Sequence, residues 1–443
     1  MKLPNLITDP DTLAGLSHDE AEWAPAGTPF AALRPESTED VQRAVRACAE
    51  SATPIVPRGA GTGLSGGANA VDGCLVLDLS RMNRILEIDR ENLLAVVQPG
   101  VVNDDLKKAV AELGLWYPPD PASSPWSTIG GNVSTNAGGL CCLKYGVTRD
   151  YVLGLEVVMG GPVEYGTAVR LGRRTTKGVA GYDLTGLVVG SEGTLGVVTE
   201  ITLRLRPAPP PSATVVGAFP SLVAAGRAVA LCTSRGLQPA ALELVDRACL
   251  QAVEDWKHLG IEPDTEAMLL ARAETSPDAD GLAAAFTDAG AVWTERSTDS
   301  VEAEALFAAR RLTYPALERL GPLLTEDVCV PRSAVPAMLA RIEEIGARHG
   351  VRIATIAHAG DGNLHPLLIT PPGDDTARIA AQAAFDDIIG QALELGGTVT
   401  GEHGVGLLKR DGMIRELGPA AHAVQRSVKQ ALDPLGLFNP GKA

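Results

Sequence analysis

The sequence predicts an α+β protein of more than one domain, and three observations predict it. At 443 residues the chain is too long for one ordinary hydrophobic core. Strand-like and helix-like periodicities alternate irregularly through the first half, without a regular strand–helix–strand array. A proline-rich break at residues 207–212 (PAPPPS) then separates that half from a stretch of different pattern.

In chain order, residues 38–51 open on Thr-Glu-Asp and carry helical periodicity. Short β-branched runs follow at 54–57, 74–79, 85–89 and 94–98, with a second helix expected over 102–113. Beyond the break, strand-like runs at 214–218, 240–246, 266–273 and 291–296 alternate with alanine-rich helical stretches. That pattern predicts an antiparallel sheet with helices on one face. From residue 353 onward the sequence becomes glycine-rich and bears histidines. The expected organisation is a first domain over 1–206, a second over 207–419, and a segment 420–443 returning to the first.

Apolar residues make up 45% and charged residues 21%, which fits a packed protein rather than a disordered one. A formal charge of −16 argues against nucleic acid as a partner, because both would be polyanions. No window approaches 18 consecutive apolar residues, and the first residues lack the apolar run of a signal sequence. The seven cysteines are scattered, with no metal or iron–sulfur spacing, so reduced thiols and a cytoplasmic location are expected.

Three segments carry the first chemical signal. Gly61-Thr62-Gly63-Leu64-Ser65-Gly66 matches the dinucleotide fingerprint GxGxxG, but that fingerprint must open a helix. Residues 66–73 (GGANAVDG) cannot sustain one, which disfavours the Rossmann reading. Five glycines within nine residues (59, 61, 63, 66 and 67) suit a nest of inward-turned N–H groups for a pyrophosphate. A plain flexible loop is the bland alternative. Residues 123–139 (SSPWSTIGGNVSTNAGG) are small and hydroxylated, fit for close approach of backbone to an extended ligand. A third glycine-rich stretch runs from 178 and ends in a strand-like run at 196–200.

The second signal is a set of histidines. His358 and His365 stand seven apart with two glycines between them, which suits strand ends flanking a tight turn. With Glu402 they make a two-histidine, one-carboxylate set, the usual form for a divalent ion with open positions. A lone histidine would more often be a satisfied core residue; the set, followed at once by His403, favours function. His349 and His422 sit in charged, helix-like context and are read as structural.

Together these segments resemble the FAD domain of the vanillyl-alcohol oxidase / p-cresol methylhydroxylase superfamily. Within it they are similar to the branch of D-2-hydroxyacid dehydrogenases and the D-subunit of glycolate oxidase. The resemblance implies a two-subdomain FAD-binding domain followed by a C-terminal domain whose antiparallel sheet is covered by helices. It implies FAD pyrophosphate binding by Pro57, Arg58, Gly59, Ala60, Gly61, Thr62, Gly63 and Leu64. Ser123, Thr128, Gly130, Gly131, Asn132, Thr135, Asn136, Gly138 and Gly139 would contact flavin and phosphates. Glu192, Gly193, Gly196 and Val197, with Asn439 near the end of the match, would line the cofactor further along. With no histidine between His18 and His258, the FAD is expected to be non-covalent.

By the same resemblance His358, His365 and Glu402 would bind a divalent metal, Zn²⁺ or Mn²⁺. His403 would be the base as the Cα hydride leaves for flavin N5, and Arg310 would hold the substrate carboxylate. An exposed helix arginine is the competing reading of Arg310. Pro366-Leu367-Leu368 after the second histidine, and the absence of a lysine in Leu324-Thr325-Glu326-Asp327, depart from the 2-hydroxyglutarate-specific relatives. The expected substrate is therefore a small 2-hydroxy acid such as D-lactate or glycolate, oxidised to the 2-oxo acid. Alternatives are D-2-hydroxyglutarate dehydrogenase, a metal-independent FAD alcohol oxidase, and a non-catalytic FAD-holding subunit. The resemblance further implies a quinone, cytochrome or electron-transfer flavoprotein as electron acceptor. Companion subunits, a homodimer and peripheral attachment at the inner membrane face are compatible with it.

Overall fold

Ser37 caps a helix over Thr38–Ser51 by accepting the Asp40 N–H, and the helix buries the stripe Val41, Ala44, Val45 and Cys48. That stripe shares a core with Ile55, Leu75, Leu77 and Phe438. The strands behind it, Ala31–Leu33, Leu75–Asp78 and Ile55–Arg58, form a parallel sheet with Leu75–Asp78 in the middle. A second sheet is antiparallel and runs Ile85–Asp89, Leu94–Val97, Val197–Arg204, Val152–Met159, Thr167–Gly172. Its core takes in Val97, Leu106, Tyr117, Ile129, Leu155 and Ile201.

These elements belong to one of two compact units in this computed structural model, which describes residues 3–262 and 264–442. The first unit is discontinuous: Met1–Gly138, Gly146–Pro209 and Glu402–Ala443. The second comprises Gly139–Tyr145 and Pro210–Gly401. One division, at Pro209/Pro210, falls inside the proline-rich stretch.

The second unit is built on an eight-stranded antiparallel sheet. Its order is Trp293–Ser297, Ala213–Phe219, Ala267–Ala273, Ala241–Asp246, Arg352–His358 and Asn363–Ile369, with Leu323–Thr325 and Val328–Cys329 both on the last strand. The expectation of helices on one face is corrected here. Val216 packs into a core with Phe307 and Leu250 from helices Ser300–Glu318 and Arg247–Lys257. Its neighbour Gly217, which faces the other way, lies under Phe286 of helix Ser276–Asp288. Helices therefore cover both faces. The sequence signal for it is the near-continuous apolar run of strands such as Ala267–Ala273, which two-sided burial demands and one-sided burial does not.

Candidate active site

In the first unit, strand Ile55–Arg58 delivers the chain into the glycine-rich loop. Among the described residues, no N–H from Ala60 to Gly67 donates to an acceptor in the chain. Backbone donors without partners need an acceptor, and an oxyanion supplies several at once. The loop is tight. A Cβ on Gly59 would clash with Thr128 Oγ1, and one on Gly61 (φ +82°) would clash with the Arg58 guanidinium. Arg58 is buried, with Nη1 donating to the His18 carbonyl at 2.8 Å, and burial lowers its pKa. A positive group thus underlies the loop. Pyrophosphate fits this cradle.

The rim of the loop is braced from three sides. Ser65 Oγ donates to the Gly404 carbonyl at 2.9 Å, and Leu407 N donates to the Ser65 carbonyl at 2.7 Å. Asn439 donates from Nδ2 to the carbonyls of Gly67 (2.8 Å) and Glu192 (2.7 Å). Lys442 Nζ donates to the Asn69 carbonyl at 2.5 Å, and burial drops its pKa to about 8. The carboxylate of Glu192 accepts from the N–H groups of Val405 (2.7 Å) and Gly406 (2.8 Å). Burial pushes its pKa up to about 7, against the pull of those two bonds. Glu192 therefore holds the loop that carries Glu402 and His403. Gly193 and Gly196 abut Pro57 and Val157, and Val197 opens a buried strand.

Residues 123–139 combine a turn with a short helix. Ser123 accepts the Ser127 N–H at 2.7 Å, and Thr128 caps helix Ile129–Thr135 by accepting from Gly131 N. Gly130 packs on Pro99 so closely that a Cβ would lie 2.5 Å from the proline Cβ. Asn132 is buried and bonded to Ser127 Oγ (3.3 Å) and Asn103 Nδ2 (2.9 Å). Thr135 Oγ1 donates to the Gly131 carbonyl, and Asn136 Oδ1 accepts from Arg149 N at 2.8 Å. At Gly138 the side chain of Glu402 lies where a Cβ would be, so Glu402 belongs to the same neighbourhood of this unit. Gly139 follows with φ +154°.

In the second unit, His358 ends strand Arg352–His358 and His365 is the third residue of Asn363–Ile369. The ladder pairs Ile356 with His365 and His358 with Asn363, which brings the imidazole centroids to 5.2 Å at an 88° interplanar angle. Gly362 (φ +90°) makes the turn between them, pressed on the Val330 carbonyl. His358 Nδ1 lies 2.8 Å from Glu243 Oε1, and Arg310 Nε donates to Glu243 Oε2 at 3.1 Å. A carboxylate only accepts, so Nδ1 carries the proton of the neutral imidazole, the tautomer whose lone pair is on Nε2. Arg310 is a buried-pair arginine, not the exposed helix residue of the competing reading: its side chain is 12% exposed.

His365 Nδ1 stands 3.6 Å from Asp327 Oδ1. Asp327 Oδ2 accepts from Thr400 Oγ1 at 2.7 Å and from Gly401 N at 3.0 Å. The next two residues in the chain are Glu402 and His403. Paired histidines backed by buried carboxylates are a donor set suited to a divalent ion. His349 bonds Asp387 at 2.8 Å, a structural role.

Sequence reading missed Glu243 and gave Asp327 no partner. The available signal was a charged residue inside an otherwise apolar strand run, AALELV, where a fully buried carboxylate has to be paired.

A family model described as FAD linked oxidases, C-terminal domain, matches residues 208–443, and one described as FAD binding domain matches 29–168. The chain is 43% identical over 420 residues to a glycolate oxidase subunit GlcD of Bacillus subtilis, covering 94% of this chain and 88% of that protein. It is 34% identical over 440 residues to a D-lactate dehydrogenase of Anaerostipes hadrus, covering 96% and 92%. Among solved structures, p-cresol methylhydroxylase aligns with a TM-score of 0.82 at 19% identity, over 99% of this chain and 93% of that one. At that identity the likeness shows the fold alone.

Proposed function

The chain belongs to the FAD-linked oxidases, and from that premise we propose that it oxidises a small D-2-hydroxy acid, D-lactate or glycolate-like, to the 2-oxo acid with a divalent metal and a histidine base. The coarser statement, an FAD-dependent oxidoreductase acting on a hydroxy acid, follows from the relatives named glycolate oxidase and D-lactate dehydrogenase. The observation that carries the finer reading is the pairing of His358 and Arg310 on one buried carboxylate, Glu243. That pairing supports reading His358 as a metal ligand and Arg310 as the group that takes the substrate carboxylate.

When bound, FAD supplies a two-electron acceptor, and Zn²⁺ or Mn²⁺ supplies a Lewis acid that acidifies the substrate hydroxyl. His358, His365 and Glu402 would hold the ion. Pro57 to Leu64, residues 123–139, Glu192 to Val197 and Asn439 would hold the FAD, by N–H groups or by bracing the loops that present them. Arg310 would take the substrate carboxylate in its Nη fork, whose donors have no acceptor among the described residues. His403, as a neutral imidazole, would accept the hydroxyl proton while the Cα hydrogen leaves with its bonding pair as hydride for the two-electron acceptor, giving the 2-oxo acid. Electrons then pass to a separate acceptor, and the subunit naming of the relatives supports companion subunits.

The test is an anaerobic screen of D-2-hydroxy acids read by flavin absorbance. Bleaching by D-lactate or glycolate, abolished by EDTA and restored by Zn²⁺ or Mn²⁺, is the expected result. Protein that stays oxidised with every acid tried would sink the proposal, and bleaching indifferent to EDTA would remove the metal from it.

A further inference from the structure

Resting on that reading, we propose that Glu243 is a positioning residue for both halves of the reaction centre. It fixes the tautomer in which His358 can ligate a metal, and it aims the Arg310 guanidinium at the substrate carboxylate.

The arrangement follows from strand register. Leu244 faces Ala357 across the antiparallel ladder, so Glu243 stands beside His358. On the same face of strand Ala241–Asp246, Val245 packs into the core that holds Phe307 of helix Ser300–Glu318. One turn further along that helix comes Arg310. Glu243 is 0% exposed, and a carboxylate so far from water is tolerable only when its oxygens are bonded. Both are, one to each partner.

Each bond has a separate consequence. The bond to Nδ1 leaves the His358 Nε2 lone pair as the ligating atom, and such outer partners typically govern about 10–100-fold in metal affinity. The bond to Nε pins the guanidinium plane and leaves the Nη pair for a bidentate grip, which a freely rotating arginine would make only at an entropic cost. One carboxylate thus serves two recognition events.

Glutamine at this position cannot reproduce the pattern, because it has one accepting atom and one donating group. If its amide N–H faces Nδ1, the imidazole proton moves to Nε2 and ligation is lost. If it faces Arg310 Nε, two donors oppose each other and the guanidinium is released. The experiment uses flavin-loaded full-length protein stripped with EDTA. Zn²⁺ is titrated against a colorimetric chelator, and KM and kcat are measured with whichever D-2-hydroxy acid bleaches the wild type.

Glu243→Gln should bind Zn²⁺ about 10–100-fold more weakly, or raise KM about tenfold at saturating Zn²⁺ with kcat little changed, while flavin absorbance holds. A plain structural role would lower the unfolding temperature and leave both of those ratios alone. Glu243→Asp keeps the charge but draws it back by one methylene; should the Gln variant fail to fold, the same losses at smaller size are expected from it. Variants matching wild type in both Zn²⁺ affinity and KM overturn the assignment. Wild-type protein that binds no Zn²⁺ and bleaches with no acid overturns the proposed function itself, and is told apart because it needs no substitution.

Discussion

Glu192 is a fully buried carboxylate that spends both oxygens on the backbone of the loop after His403. Its folded pKa of about 7 lies above the ordinary value of 4.5, so ionising it costs the folded state. The stability it contributes is complete below pH 4.5 and is lost as pH rises through about 7. Glu192→Gln lacks that titration. The difference in unfolding free energy, variant minus wild type, should therefore climb by up to about 1.4 kcal/mol per pH unit across that window and be flat outside it. Denaturant melts at several pH values read this directly, and a difference that is constant from pH 4.5 to 7 would count against it. Residues of this kind show what one sequence withholds. His358 and His365 announce themselves by short spacing, whereas Glu243 meets His358 across 115 residues and Arg310 across 67. Only the folded ladder brings those three together.

Elements do the aiming. The loop from Ala60 to Gly67 works only if its backbone can turn inward, and Gly61 has both a left-handed φ and a guanidinium where a Cβ would go. Gly61→Ala should lose bound flavin, measured as the ratio of 450 nm to 280 nm absorbance after gel filtration; retention of full flavin would show that the cradle lies elsewhere. The stretch Thr400-Gly401 is pinned by Asp327 just before Glu402. Asp327→Ala should cut kcat at least tenfold with flavin content unchanged, because two anchoring bonds, each worth about 1–3 kcal/mol to lose, are removed from the residues that lead into His403, the proposed base. Loss of flavin along with turnover would instead indicate a general folding defect. The strand-like runs marked in the sequence lie within about two residues of observed strands, whereas others, such as Val152–Met159 and Thr167–Gly172, lay in stretches where no run was marked. The short helix Ile129–Thr135 was not legible: its glycines and hydroxyls point to irregular backbone, and it is held by the Thr128 cap and by packing of Ile129 and Val133 in the core.

At the scale of the molecule, each unit owns a core: Val97, Leu155 and Ile201 in one, Val216, Leu270 and Phe307 in the other. A ligand held by one unit should stabilise that unit. Calorimetry with FAD at one hundred times its Kd should raise one transition, by about 2.7 kcal/mol of added stability; a single transition that moves as a whole would mean the two units melt together. Among the described residues no helix is long and apolar enough to cross a membrane. The α+β class was legible because the period of the hydrophobic pattern is local information. The two-sided covering of the large sheet is written in near-continuous apolar runs such as Ala267–Ala273, a signal that element order alone passes over.

The discontinuity of the first unit has a consequence for manufacture. Chains emerge from the ribosome in order, and domains generally fold as their residues appear. Here the cradle at residues 60–67 is made early, but the side chain that ties Gly67 to Glu192 belongs to Asn439. The whole of Pro210–Gly401 must be synthesised in between. If residues 60–67 hold the FAD as proposed, cofactor loading is a late event, which waits for translation to pass residue 439, and a nascent chain stalled short of it should emerge colourless however much FAD the cell contains.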